Sequence, residues 1–252
     1  MNSNIETLKN EILKYNIPKH IAIILDGNGT WAKARGLERN VGHRHGARTL
    51  VEVCKYAREI GVEYLTVYAF STENWNRPKK EVNYLMRLLE VFLREQKKNI
   101  KKGNIQLKVI GTRNNLSDRQ IKIIESVEEE AKDCTGMHIN VAFNYGSYEE
   151  IIQAVKRIAS DVKNDEITIE DINVELFSNY LYTKGMPAVD LMIRTSGQYR
   201  ISNFLLWQIA YSELYFPKTL WPDFSPAELN KAIIEYNKRD RRFGGIKCEQ
   251  ES

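Results

Sequence analysis

Asp26 stands directly after an apolar run, Ile21 to Leu25, and is followed by Gly27, Asn28 and Gly29. Nearby glycines let a ligand or a metal ion come close to the backbone. A carboxylate there could hold Mg2+, which takes one or two carboxylates and fills its shell with phosphate oxygens. A plain Asp-Gly turn would read the same way. Glu213, in the apolar stretch Tyr211 to Phe216, is costly to bury unless paired or metal-bound. It is either a second Mg2+ ligand or a solvent-facing strand residue. Arg194 and Arg200 bracket a Thr-Ser-Gly turn, and Ser202 follows. Arginine grips phosphate bidentately, and hydroxyls and turn amides add donors. Phosphate binding is the better reading of that loop than incidental surface cations. Val41 to Arg48 (VGHRHGAR) precedes a helical pattern. It is either an anion site at a helix start or a helix start with solvated charges. The spacing fits neither a Walker loop nor a dinucleotide fingerprint.

These residues need a frame to bring them together. Five apolar runs have strand length: Ile21–Leu25, Tyr64–Phe70, Ile105–Ile110, His138–Asn144 and Asp190–Arg194. Several are apolar on both faces, as in a buried parallel sheet. Helical spacing of apolar residues fills the intervals, over Gly46–Ile60, Glu81–Lys102, Gln120–Lys132, Glu149–Val162 and Pro226–Lys238. Ser225 and Pro226 form a plausible helix start. The alternation predicts an α/β fold with a mostly parallel central sheet flanked by helices. Ligands in such folds bind beyond the carboxyl ends of the strands. The strand exits are Asp26 to Gly29, Ser71 to Arg77, Asn144 to Ser147, and Arg194 to Gly197. All are small, polar or charged. The apolar stripe of Glu81–Lys102 reads as core, with the wall of an apolar tunnel as the functional alternative.

The chain has 252 residues, 42% of them hydrophobic, and no linker or repeat divides it, so a single domain is expected. Its net charge of +4, from 37 basic and 33 acidic residues, does not argue for nucleic acid. The basic stretch Arg239 to Arg242 has no interleaved aromatic residue, which weakens that reading further. No early run is long enough to span a bilayer, and the first residues lack a secretion pattern. Cys54, Cys134 and Cys248 are far apart and odd in number, which fits a reduced, cytoplasmic protein.

At these residues the sequence resembles the cis-prenyltransferase family. His20 to Gly29 (HIAIILDGNG) with Trp31, Ala32 and Lys33 is similar to its first motif. Tyr68 to Arg77 (YAFSTENWNR) resembles the second. Asp190 to Gly197 (DLMIRTSG), Arg200 to Gln208 (RISNFLLWQ), Glu213 to Phe216 (ELYF), Trp221 to Phe224 (WPDF) and Arg241 to Gly245 (RRFGG) resemble the rest. The resemblance implies an undecaprenyl diphosphate synthase fold. It places a helical segment over 1–18, the catalytic domain over 19–245 and a flexible tail over 246–252. It implies a homodimer that condenses isopentenyl diphosphate with an allylic prenyl diphosphate. The product would be a cis polyprenyl diphosphate, such as the undecaprenyl carrier of cell-wall synthesis. Release of that product implies a peripheral contact with the membrane.

The resemblance also implies roles. Asp26 would coordinate Mg2+, with Glu213 as partner ligand. Gly27, Asn28, Gly29, Arg39 and His43 would hold the allylic diphosphate, with Arg77 along the same side. Trp31 and Trp75 would pack near the prenyl chain. Ser71 and Asn74 would assist catalysis, Asn74 in proton removal, and Thr72 and Glu73 lie in the same substrate-binding motif. Arg194, Arg200, Ile201 and Ser202 would bind isopentenyl diphosphate, completed by the Arg242-Phe243-Gly244 segment. Four places depart from the family pattern. Thr30 replaces a usual arginine, Ser147 and Tyr148 replace Gly-Arg, Gln198 replaces a glutamate, and Thr112 replaces an aspartate. Altered allylic handling is the matching expectation: slower catalysis, a shorter product or an irregular condensation, which some family members perform. A non-catalytic partner subunit is a further alternative, disfavoured because Asp26 and Asn74 are both present. A bare phosphate-binding module leaves the paired Asp26 and Glu213 unexplained.

Overall fold

The computed structural model describes residues 2–239. The Arg241 to Gly245 motif, Cys248 and the expected tail lie outside the described residues. Six strands form one sheet: β1 (His20–Ile24), β2 (Tyr64–Ser71), β3 (Gln106–Ile110), β4 (His138–Tyr145), β5 (Leu191–Arg194) and β6 (Glu213–Tyr215). Their order is β3-β4-β2-β1-β5-β6, and every pairing is parallel. The sheet is thus wholly rather than mostly parallel. All its strand exits therefore lie on one edge.

Burial on both faces explains the apolar runs. Ile21 and Ile23 join the larger core, and Ala22 and Ile24 point into the smaller one. That is the period-two alternation of a pleated strand. Among the described residues, eight helices flank the sheet: α1 (Asn2–Ile12), α2 (Asn28–Lys33), α3 (Arg39–Glu59), α4 (Lys79–Gly103), α5 (Asp118–Ala131), α6 (Ser147–Lys163), α7 (Val174–Tyr180) and α8 (Pro226–Asn237). The larger core is walled by α3, α4, α5 and α8, through residues such as Val53, Leu93, Val127 and Leu229. The smaller is closed by Phe204, Leu205 and Ile209 from the loop after β5.

Helix ends follow local chemistry. Ser117 and Gln120 form a reciprocal capping box at the start of α5. Ser225 accepts the Glu228 N–H and Pro226 opens α8. Helix α1 is tied to α8. The Asn230 amide donates to the Leu8 carbonyl at 2.9 Å, and Asn16 and Asn237 exchange two bonds at 2.9 and 3.0 Å. Helix α3 begins at Arg39, not Gly46, so Val41 to Arg48 lies within a helix rather than before one. Its glycines are there for packing. A Cβ on Gly42 would come 2.0 Å from the Asn28 carbonyl oxygen, and one on Gly46 would come 2.2 Å from Asn28 Oδ1. Bare backbone at those two positions lets α2 lie against α3.

Candidate active site

Strand register brings the first two site residues together. Ile24 ends β1, Arg194 ends β5, and they are direct partners in adjacent parallel strands. Asp26, two residues past Ile24, therefore reaches the Arg194 side chain. Arg194 Nη2 donates to Asp26 Oδ2 at 2.7 Å. Its Nη1 donates to Ser202 Oγ and to the Arg200 carbonyl, both at 2.7 Å. The Arg194 Nε is buried without a protein acceptor. Asp26 Oδ1 accepts the Gly27 N–H at 2.8 Å. The Asp26 backbone is held from both sides, its N–H by Thr195 Oγ1 at 3.0 Å and its carbonyl by the Trp221 N–H at 3.0 Å. Gly27, at φ 105°, makes the left-handed turn that sends the chain into α2.

A cavity of about 600 Å³ opens at this edge of the sheet. Its polar end is lined by Asp26, Gly27, Asn28, Gly29, Arg39, His43, Ser71, Asn74, Arg77, Arg194 and Ser202. Its apolar part is lined by Leu50 of α3, by Leu85, Leu88, Leu89 and Phe92 of α4, and by Val141 and Phe143 of β4. Such a cavity can take a molecule with an anionic head and an apolar tail.

Glu81, which the sequence reading passed over, organises one polar wall. Its carboxylate accepts from Arg77 Nη1 at 2.9 Å, pairs with Arg39 Nε at 3.2 Å and lies 3.6 Å from His43 Nε2. Only the Arg77–Glu81 spacing of four residues could have been read locally. Burial outweighs the attraction of Glu81 and, with Arg77 and Arg39 nearby, pushes the His43 pKa down to about 4. The imidazole is therefore neutral at pH 7. Asn74 Oδ1 accepts the Ser71 N–H at 3.2 Å, which holds the amide at the mouth of β2.

Other expected site residues stand outside the cavity lining. Trp31 donates to Asp223 Oδ1 at 2.7 Å and stacks under Arg35, facing the 3-10 turn at Trp221–Asp223. Trp75 donates to Asn144 Oδ1 at 2.7 Å. Thr72 and Glu73 lie in the 3-10 turn after β2, where Glu73 Oε1 accepts from Asn203 Nδ2 at 2.9 Å. The Arg200 guanidinium is exposed and donates to Gln198 Oε1 at 2.7 Å. Ile201 packs on the smaller core. Glu213 Oε2 is held by Arg239 Nη1 at 2.7 Å and is not among the residues that line the cavity.

The departures from the family motifs also have places. Thr30 lines the cavity, beside Lys33. Ser147 is buried and latches α6 to the loop after β5, accepting the Leu206 N–H at 2.8 Å. Tyr148 is 69% exposed. The Thr112 carbonyl accepts from Asn144 Nδ2 at 3.0 Å. Among the described residues, no group of three or more His, Cys, Asp or Glu side chains is placed to hold a metal. The donor set at the polar end is a single carboxylate, Asp26, with the buried, unpartnered Asn28 Oδ1 nearby. That set fits Mg2+ sharing its shell with substrate phosphates, and does not fit a closed structural site.

Comparison with known proteins gives the same class. Residues 24–244 match the family described as "Putative undecaprenyl diphosphate synthase". The isoprenyl transferase of Fusobacterium nucleatum is 56% identical over 235 residues, covering 93% of this chain and 99% of that protein. The (2E,6E)-farnesyl-diphosphate-specific ditrans,polycis-undecaprenyl-diphosphate synthase of Haemophilus influenzae is 50% identical, covering 93% and 98%. Among solved structures, lavandulyl diphosphate synthase from Lavandula x intermedia in complex with dimethylallyl diphosphate superposes with a TM-score of 0.88. It is 37% identical, with 93% of this chain and 99% of that chain covered. The chain belongs to the cis-prenyltransferase family of undecaprenyl diphosphate synthases and isoprenyl transferases, and is an enzyme of that family.

Proposed function

We propose that the enzyme condenses isopentenyl diphosphate with an allylic prenyl diphosphate such as farnesyl diphosphate, giving a cis polyprenyl diphosphate of the undecaprenyl type. The observation that carries this reading is the Asp26–Arg194 contact at the polar end of a cavity whose other walls are apolar. The allylic diphosphate lies against the first turn of α2 with Arg39 and Arg77 beside it. Arg194 and Ser202 grip the diphosphate of the second substrate. Asp26 holds Mg2+, which when bound offsets the charge growing on the leaving diphosphate. The allylic C–O bond breaks, the double bond of isopentenyl diphosphate attacks the freed carbon, and a proton passes from the new cation to the released diphosphate, with Asn74 and Ser71 assisting its removal. The apolar walls exclude water from the cationic carbon and receive the lengthening chain. Glu213, paired with Arg239, is left out of this assignment.

The enzyme works as a homodimer in this reading. The exposed apolar residues Tyr148, Ile152 and Val155 along α6, with Val174 of the adjoining α7, support it, because they leave apolar surface in contact with water. Thr30 on the cavity wall supports a second product reading, with a shorter or irregular prenyl diphosphate. The structural likeness to lavandulyl diphosphate synthase points the same way.

One assay tests both. The protein is incubated with Mg2+, isopentenyl diphosphate and, in turn, dimethylallyl, geranyl and farnesyl diphosphate, and the products are separated by chromatography. Long cis products from farnesyl diphosphate are expected, with kcat reduced roughly 100- to 1,000-fold by Asp26→Asn. No condensation with any primer, or full activity in Asp26→Asn, would overturn the reading.

A further inference from the structure

The charge of this chain is concentrated on one helix. Helix α4 carries eight lysines and arginines against three glutamates, a net charge of +5, whereas the whole chain carries +4. Two of those glutamates do not face solvent. Glu81 is 11% exposed among Arg39, His43 and Arg77, and Glu90 is 14% exposed and paired with Arg119 at 3.0 Å. The third, Glu95, is exposed beside a line of Arg87, Val91, Arg94 and Lys98, which are all exposed and spaced along a single helical face, so three cations outnumber one carboxylate there. Arg87, Arg94 and Lys98 are in no ion pair among the described residues, and Val91 is 51% exposed between them. Beside this line, a groove of about 550 Å³ between α4 and α5 is lined by Arg94, Lys97, Arg119 and Lys122 over Ile123 and Val127.

We propose that this outer face of α4, with the α5 groove beside it, is the surface by which the enzyme docks on anionic lipid bilayers. The charge complementarity is direct: anionic headgroups attract such clusters, each basic residue strengthening binding about fivefold. The helix is amphipathic in the matching sense, because its inner side chains Leu85, Leu88, Leu89 and Phe92 line the apolar part of the cavity. Docking on α4 therefore brings the bilayer to the wall along which an apolar chain would lie. Nucleic acid fits less well, since the outer face offers no aromatic ring to stack on a base. Tyr84 is half-buried with its hydroxyl donating to the Asn40 carbonyl, and Phe92 faces the cavity. A second copy would meet like charge. The inference rests on the proposed function only for the meaning of the apolar cavity; the charge of the face stands without it.

The test is flotation of the full chain with two vesicle types, phosphatidylcholine alone and phosphatidylcholine mixed with phosphatidylglycerol. Binding is expected to the anionic vesicles only, with release as salt rises toward about 0.5 M. The combined Arg94→Gln, Lys97→Gln and Lys98→Gln variant should bind roughly 100-fold more weakly. A control carrying Lys55→Gln, Lys231→Gln and Lys238→Gln, with the same charge loss elsewhere, should bind like the parent. Both variants should keep the parent's turnover of short, water-soluble primers, which shows them folded. Equal binding to neutral vesicles, no binding at all, or equal losses in both variants would overturn the proposal. Vesicle binding in a protein with no condensation activity would instead overturn the proposed function and leave this surface standing.

Discussion

His43 shows how much one side chain can say about its surroundings. Burial, helped by Arg77 and Arg39, lowers its pKa from 6.5 to about 4 despite Glu81 3.6 Å away. Between those pH values the unfolded chain binds more protons at this position than the folded one. Stability is therefore lost as pH falls through that window and levels off below it. In thermal melts from pH 7 to 4, His43→Gln should lose less melting temperature than the parent. A remaining slope belongs partly to His20 and His138, whose pKa values burial also lowers. Equal slopes in variant and parent would show that His43 is solvated. The sequence reading found His43 and Arg39 but not the carboxylate that joins them. Glu81 sits on α4 and its partners on α3, so the cluster exists only after the helices pack. Asp26 and Arg194 were easier to find, because each closes a strand and parallel strands put their exits on one edge.

At the scale of elements, strands were read well because burial on both faces leaves continuous apolar runs, as in β1 and β4. Helix starts were read less well. Gly42 and Gly46 look like breakers in sequence, yet they lie inside α3 because α2 presses against them. Helix α2, at six residues, is too short to show a periodic stripe. Helix α7 is likewise short, and all its residues keep some exposure. The long stripe of α4 was legible, but whether it served core or cavity was not. It serves both, since Leu85 and Leu89 are buried while Leu88 and Phe92 are half-buried on the cavity. If the growing chain runs along α4, Leu88→Trp should shorten the products by at least one isoprene unit and Leu88→Ala should lengthen them. Chromatography of dephosphorylated products reads this directly. Unchanged lengths in both variants would place the chain along another wall. The tryptophan should cost about 1–3 kcal/mol of stability if its surroundings do not yield.

For the whole molecule, the exposed apolar residues of α6 and α7 are what the proposed homodimer would cover. Helix α6 keeps Ala154 and Ile158 buried against the fold and leaves Ile152 and Val155 49% and 48% exposed. Trp207 packs its ring on Phe177 of α7 and donates to Ser178 Oγ at 3.0 Å, so the loop after β5 extends the same side. A carboxylate placed in a covered apolar interface is left unpaired and strongly unfavourable. Ile152→Asp with Val155→Asp should therefore convert a dimer to monomers in sedimentation velocity at micromolar concentration. A parent protein that sediments as a monomer would rule out this face as a dimer contact. No helix among the described residues is long and apolar enough to cross a membrane.

The paired amides of Asn16 and Asn237 act as a clasp between the segment after α1 and the end of α8. With Asn230 also bound to the Leu8 carbonyl, and receiving the Tyr56 hydroxyl at its own Oδ1, α1 and α8 share one set of bonds. Neither can fray without stranding polar groups on the other. A truncation that removes α1 is thus a change to α8 as well.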